Sequence, residues 1–395
     1  MVDLVMVEVA LACAAFLPFA WHRLRVGYAL KQGPLQPTIG SDKIERIVWL
    51  LPVWNEELII ESKLNDLALQ QSSSVEVHLH IVDSASNDAT VSIIDDWVKR
   101  NRSKFNSITV DVMNKRLGKS AAVARSLELI GDKFDLVIMT DADARILGEA
   151  IPRILEWFSN PMIGAVGGTP VREGATSVEQ IHRDMFTVVR LGESIIDSTP
   201  FLEGSLLAFR TVISASDIAI GANADDAQIA TAIREYGLRS VQDSKLHFSD
   251  QLPTTRKSRM RQKVRRGQGI QRLLIRKRSH WIGKTKFDGI IRIESWMHIV
   301  SPILLFAAIL VMISRYIVMP FDQQSQFVIA IECILFIAWL SSRFERSLPL
   351  LSVPGNILVG MEHLLTAMFH AIAGRSLHMW DQHSDARIKQ HELES

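Results

Sequence analysis

The chain has 395 residues, 48% of them hydrophobic, which is length enough for one large or two ordinary domains with a sizeable core. Its 44 basic and 43 acidic residues leave a formal charge of +1, so no global field argues for nucleic acid or for acidic partners. Cys13 and Cys333 both sit in apolar runs, which excludes a disulfide framework, a zinc ribbon and a Cys-based metal site.

Residues 4–21, LVMVEVALACAAFLPFAW, carry Glu8 as their single charge and are followed by HRLR. This pattern predicts an N-terminal transmembrane anchor over 1–22, and by the positive-inside rule it places the following region in the cytoplasm. A cleaved signal peptide is the rival reading, but its positive charges would precede the apolar stretch.

Between 45 and 250 the pattern alternates. RIVWLLPV (46–53), VEVHLHIVDS (75–84), SITVDVM (107–113), FDLVIMTD (134–141) and IGAVGG (163–168) read as strands. Segments 57–71, 88–102, 118–131 and 148–159 between them have helical length and apolar residues at three- and four-residue spacing. Such repetition predicts an α/β domain, a mostly parallel sheet covered by helices on both faces. Ligands bind such sheets outside the carboxyl ends of the strands, which selects the polar residues after each run. These are Pro52, Trp54, Asn55 and Glu56; then Asp83, Ser84 and Ser86; then Lys115, Arg116, Gly118 and Lys119; then Asp141 and Asp143. Carboxylates and cations at successive strand ends predict one shared site.

The Asp141-Ala142-Asp143 pair offers hard oxygen ligands to Mg²⁺ or Mn²⁺, with a small residue between them, and Mg²⁺ so held implies a phosphorylated ligand. The same pair is equally a solvated turn that caps a following helix. Asp83 either accepts hydrogen bonds from a nucleotide base or belongs to an ordinary turn. Asp225 and Asp226, in NADDAQIATAIREYG, stand at a predicted helix start and serve either as caps or, for one of them, as a general base. His247, in KLHFSD, reads as a core or capping histidine ahead of an extra metal or diphosphate contact.

Residues 256–278 contain eleven Lys or Arg among 23, and no acidic residue occurs from 251 to 287. The run precedes an apolar helix, so 251–290 is read as a basic interfacial helix region facing anionic headgroups, with Gln262, Arg265 and Arg266 set apart as candidates for a diphosphate. Residues 296–320 and 326–340 predict two further spans, joined by the link FDQQSQ. Residues 348–373 are apolar but interrupted by Pro349, Pro354, Glu362, His363 and His370; a fourth span, a re-entrant pair and an interfacial helix all remain open. The region 296–374 therefore counts as a C-terminal transmembrane region of two or three helices. Residues 375–395 form a cytoplasmic or peripheral tail, and the whole is expected as a multi-pass protein of the cell membrane.

Taken in order, LLPVWNEE, IVDSASNDAT, NKRLGKSAAVARSL, MTDADA, FLEGSLLAFR, ADDA and RQKVRRGQG resemble the ordered motifs of the family 2 inverting glycosyltransferases over roughly 46–270. The resemblance extends to membrane-anchored polyprenyl-phosphate and glycolipid glycosyltransferases and to polysaccharide synthases. It implies a GT-A fold, a UDP- or GDP-sugar donor, inversion, and Mg²⁺ or Mn²⁺. It also implies that Pro52, Trp54 and Glu56 frame the nucleotide with Lys119 nearby, that Asp83 recognises the base, and that Asp141 and Asp143 bind the metal. By the same likeness Asp226 is the catalytic base, while Gly204, Gln262, Arg265 and Arg266 hold the acceptor region or the diphosphate. Arg266 stands where processive synthases carry Trp, and few helices are available to enclose a polymer channel. Both points favour single transfer to a lipid or lipid-linked acceptor over processive synthesis. A non-catalytic scaffold is opposed by the intact acids, and a soluble nucleotidyltransferase by the membrane helices and by the lack of an obvious Gly-rich phosphate loop.

Overall fold

The computed structural model describes residues 3–171, 177–250, 253, 255–318, 323–346, 348–377, 379 and 384–394. The elements run α1 (Leu4–Leu30), β1 (Arg46–Val53), α2 (Ile60–Leu69), β2 (Glu76–Asp83), α3 (Thr90–Asn101), β3 (Ser107–Val112), α4 (Lys119–Ile130), β4 (Leu136–Met139), β5 (Ala144–Leu147), α5 (Ala150–Phe158) and β6 (Ile163–Val171). They continue with α6 (Ser177–Ile196), β7 (Leu207–Arg210), α7 (Asp225–Glu235), β8 (Arg239–Asp250), α8 (Arg256–Arg276), α9 (Lys286–Ser295), α10 (Ser301–Val318), α11 (Gln323–Arg343), α12 (Ser352–Ile372) and α13 (Ser384–Glu394). The chain divides into two compact units. One is an α/β unit of Gln32–Glu173, Arg190–Gln262 and Ser376–Ser395; the other is a helical unit of Met1–Lys31, Gly174–Val189 and Lys263–Arg375.

In the α/β unit the strands form one sheet in the order β3-β2-β1-β4-β7-β6-β8-β5. β1 pairs in parallel with β2 and β4, β2 with β3, and β6 with β8, while β7 lies antiparallel between β4 and β6 and β5 antiparallel on β8. The unbroken apolar run of β1 follows from burial on both faces. Ile47, Trp49, Leu51 and Val53 join the core beneath α2, α3 and α5, and Val48 and Leu50 join the opposite core beneath α4 and α7. That division is the two-residue period of a strand. Each of the five predicted strands forms. β5 went unpredicted because its four residues, ARIL, follow an acidic turn and break the expected strand-to-helix step.

In the helical unit, among the described residues, three helices are long and apolar enough to cross a membrane: Leu4–Leu30, Lys286–Val318 and Gln326–Arg343. α1 thus runs on to Leu30 instead of ending at 22. The second stretch joins α9 to α10 through a π-helical turn at Trp296–Val300. α12 is one continuous helix, which removes the re-entrant pair from the readings of 348–373. Of the link FDQQSQ, residues 321 and 322 lie outside the described residues and Gln323 already belongs to α11. Glu8, the lone charge of the first apolar run, accepts a hydrogen bond from Arg315 Nε at 2.9 Å; Arg315 is fully buried and also pairs with Glu332. Tyr316 donates to Glu332 Oε2 at 2.6 Å, so a charged cluster ties α1, α10 and α11. Ionisable groups in apolar helices persist when they pair with one another.

Removing the shared cation leaves the buried Glu8 without its cation and Glu332 with only the Tyr316 hydroxyl, at a cost of about 3–5 kcal/mol. Arg315→Leu is therefore expected to lower the unfolding temperature of the detergent-purified protein, with part of the loss recovered in the Glu8→Gln, Arg315→Leu double variant. An unchanged transition would mean that the cluster does not hold these helices together.

Candidate active site

Strand register brings the carboxyl ends together. Val53 at the end of β1 lies opposite Asp83 at the end of β2, Asp83 lies opposite Val112 at the end of β3, and Met139 at the end of β4 lies opposite Leu50. β7 runs the other way, with Leu207 opposite Met139, so the residues preceding it reach the same edge. Gly204 and Ser205 arrive there by that reversal.

The first two loops are laced to each other. Asp83 is fully buried, and its carboxylate accepts from the Ser86 backbone N at 2.9 Å and from Ser86 Oγ at 2.5 Å. Asn55 N donates to Ser86 Oγ at 2.8 Å, and Glu56 N donates to Thr90 Oγ1 at 2.7 Å. Asn55 and Ala85 both take positive φ, 54° and 58°; asparagine adopts this readily, whereas Ala85 is held there against its preference. Pro52 is buried within β1, opposite Val82. Trp54 projects past the strand end, with the Arg116 guanidinium 3.4 Å above its ring centroid.

Lys119 sits at the centre of an acidic cluster. Its Nζ lies 2.6 Å from Asp141 Oδ1 and 3.5 Å from Asp225 Oδ2. Burial draws the lysine pKa down, but Asp141, Asp225 and Asp226 outweigh that pull and hold it well above the ordinary value. Asp226, in the first turn of α7, accepts from Gly204 N at 3.2 Å and from Ala227 N at 2.8 Å. Burial, reinforced by Asp225 and opposed by Lys119, pushes its carboxyl up to about 6. A Cβ on Gly204 would lie 3.1 Å from Lys119 Nζ and 3.6 Å from the Asp226 Cβ, so the close approach of these groups uses the missing side chain.

The Asp141–Asp143 turn leads into β5, so it caps no helix. Asp141 Oδ2 accepts from Ser205 Oγ at 3.3 Å, while the buried Oδ1 is held by the Lys119 ammonium at 2.6 Å. Three side chains that the sequence did not single out hold this turn. Lys63, fully buried in α2, donates to Ala144 O at 2.8 Å and to Asp66 Oδ2 at 3.0 Å. Arg145 Nη1 donates to Ala142 O at 2.8 Å. Arg387 of α13 binds both oxygens of Glu56 and donates to Asp143 Oδ2 at 2.7 Å. Burial opposes ionisation of Asp143, yet Arg387 outweighs it and keeps that carboxyl below the usual range. Lys63 had a signal, a cation on the same helical face as the buried Ile60, Leu64 and Leu67. Arg387 had none, since 244 residues separate it from Asp143.

The donor set fits a hard divalent cation. Asp141 and Asp143 present only carboxylate oxygens from one turn, and the charge they offer is what Lys119 and Arg387 now balance. Gln262, Arg265 and Arg266 lie on α8, with Arg266 exposed; Gln262 belongs to the α/β unit and the two arginines to the helical unit. His247 is half-buried within β8, opposite Leu147 and Thr169.

Residues 48–213 match the family described as Glycosyl transferase family 2. Among solved structures, the mannosyltransferase PcManGT from Pyrobaculum calidifontis, in complex with GDP-Man and Mn²⁺, aligns over 94% of this chain and 99% of its own at 21% identity, with a TM-score of 0.74. At that score the two share a fold. S. aureus TarS aligns over 69% of this chain and 54% of its own, at 16% identity and a TM-score of 0.43. No curated protein matches the sequence.

Because the ionised acids of this edge depend on Lys119, Lys119→Met is expected to cost about 2 kcal/mol at pH 8, a figure reduced for the side chain's partial exposure. Asp226 titrates above its ordinary value, so its charge is present above about pH 6 and is removed below it. The destabilisation should therefore shrink as pH falls through 6. Thermal unfolding of both proteins at pH 8 and pH 5 measures it, and an equal loss at the two values would contradict this account.

Proposed function

We propose, from the glycosyltransferase family 2 domain that residues 48–213 carry, that this chain transfers a sugar with inversion from a UDP- or GDP-sugar to a lipid or lipid-linked acceptor at a membrane. The observation that carries the reading is the meeting of Asp141, Asp143, Lys119, Gly204 and Asp226 at one sheet edge. The similarly folded mannosyltransferase was solved with GDP-Man and Mn²⁺, which supports a nucleotide-sugar donor and a divalent ion here.

Asp141 and Asp143 would hold Mg²⁺ or Mn²⁺, which when bound neutralises the diphosphate as it departs. Pro52, Trp54 and Glu56 frame the nucleotide, with the Trp54 ring and its stacked Arg116 as the wall, and Asp83 recognises the base. Lys119 adds a fixed positive charge beside the diphosphate. Asp226 takes the proton of the acceptor hydroxyl as the hydroxyl oxygen bonds to the anomeric carbon and the bond to the diphosphate breaks. A carboxyl held near 6 is ionised at neutral pH yet more basic than an ordinary aspartate, which suits a general base. Gly204 leaves space beside that base for the acceptor. Gln262, Arg265 and Arg266 are assigned to the acceptor region or the diphosphate on the strength of the resemblance.

The three apolar helices and the basic α8 support a lipid acceptor and a cytoplasmic position for the α/β unit, in a multi-pass protein of the cell membrane. Arg266, standing where processive synthases carry Trp, supports single transfer.

Membranes containing the protein, supplied with labelled UDP- and GDP-sugars and Mn²⁺, test the reading. Asp143→Ala and Asp226→Asn are each expected to lower transfer on the order of a hundredfold or more. Wild-type kcat/KM should fall as pH drops through about 6, since protonation removes the base. Identical turnover by wild type and Asp143→Ala would overturn the proposal.

A further inference from the structure

The last helix of the chain belongs to the same unit as the acidic turn and touches it directly. Leu377 O accepts from Asn223 Nδ2 at 2.9 Å, just ahead of α7, which fixes the approach of the tail to the sheet edge. In α13, Arg387 and Gln390 are three residues apart and almost fully buried, while Ile388, Lys389 and His391 are exposed. Arg387 Nε and Nη2 donate to Glu56 Oε2 at 2.6 Å and Oε1 at 2.8 Å, a fork on one carboxylate, and Nη1 donates to Asp143 Oδ2 at 2.7 Å. Gln390 Nε2 donates to the backbone O of Asp143 at 3.4 Å.

All three guanidinium nitrogens are thus committed to two carboxylates, and one of those is half of the Asp-x-Asp pair. A divalent ion drawn to Asp143 meets a permanent positive charge within hydrogen-bond distance of the ligand oxygen, and the two cations repel strongly where water is scarce. Arg387 has somewhere else to stay, because two of its three bonds go to Glu56. Lys119 repeats the arrangement on the other aspartate, with Asp225 as its second acid. Each carboxylate of the pair is held by a basic side chain that keeps an acid partner after letting go.

We propose that Arg387 is a cationic latch on the metal cradle: it holds Asp143 until a divalent ion takes that carboxylate, so that the ion and the C-terminal helix compete for one ligand. The latch rests on the reading of Asp141 and Asp143 as metal-holding residues. In it, Glu56 is the resting place of the guanidinium, and α13 loosens when Arg387 gives up Asp143. The cradle is then kept closed to metal until the ion, with the diphosphate it accompanies, outweighs the arginine.

The test uses the full chain in detergent and Mn²⁺ alone as the probe, with binding read from the loss of the free-ion electron paramagnetic resonance signal. Arg387→Gln should bind Mn²⁺ roughly tenfold more tightly than wild type, since it removes a unit charge beside the ligand, whereas Arg387→Lys, which keeps the charge, should stay near wild type. A second measurement needs no substitution: in wild type the amides of residues 386–392 should exchange with deuterium faster when Mn²⁺ is present. Equal or weaker Mn²⁺ binding by Arg387→Gln, or unchanged or slower exchange of α13, overturns the latch. If binding is meanwhile abolished by Asp143→Ala, the metal-dependent transferase stands without the latch; if no form of the protein binds Mn²⁺, both fall.

Discussion

Five carboxylates, from Glu56, Asp141, Asp143, Asp225 and Asp226, crowd the carboxyl edge of one sheet, and their mutual repulsion is the constraint to which the rest of the α/β unit answers. Like charges this close, partly shielded from water, stay ionised only beside cations. Lys119 and Arg387 contact the acids, and Lys63 and Arg145 grip the backbone of the turn from behind. The two layers do different work. The contacting cations set how much net negative charge a ligand meets, and the backbone-gripping pair fixes where the turn stands.

The sheet supplies the geometry for this concentration of charge. Parallel register alone aligns the ends of β1 to β4, but the space beside Asp226 comes from the reversed strand β7, whose approach delivers Gly204 and Ser205 to the same edge. Thr140 Oγ1 donates to Ser205 O at 2.8 Å and so clamps the approach to β7 onto the end of β4. Ala224, just ahead of α7, takes a left-handed φ of 61° to turn Asp225 and Asp226 inward, a conformation that costs an alanine on the order of 1 kcal/mol. Strain at such a point is consistent with a site whose acid placement outranks local comfort.

In the helical unit the same rule holds among apolar helices. Glu8, Arg315 and Glu332 meet among apolar helices, and Glu362 accepts from Trp339 Nε1 at 3.0 Å while pairing with Arg343 at 3.0 Å. Each of these three acids is held by a donor from a neighbouring helix, so polar residues that lower the hydropathy of an apolar helix are what fastens it to the next.

How much of this was legible followed from the range of the interaction involved. The alternation of apolar runs and helical segments gave the α/β class and five strands, because burial on both faces of a parallel strand writes itself into consecutive residues. The rule that ligands gather at carboxyl ends then picked out Trp54, Glu56, Asp83, Lys119, Asp141 and Asp143 before any coordinates. Asp225 and Asp226 were legible as a helix start, and the apolar helices as candidates for spans, since both signals are local. The sequence by itself determined which groups stand at each strand end. Only the tertiary structure decided which of them meet. β5 was invisible because four residues carry too little periodicity to register, and the buried role of Lys63 depends on a carbonyl 81 residues away. Arg387 lies 331 residues from Glu56 in a polar tail whose composition suggests nothing but solvent, and its placement exists only once the folded edge presents two carboxylates for one guanidinium to bridge.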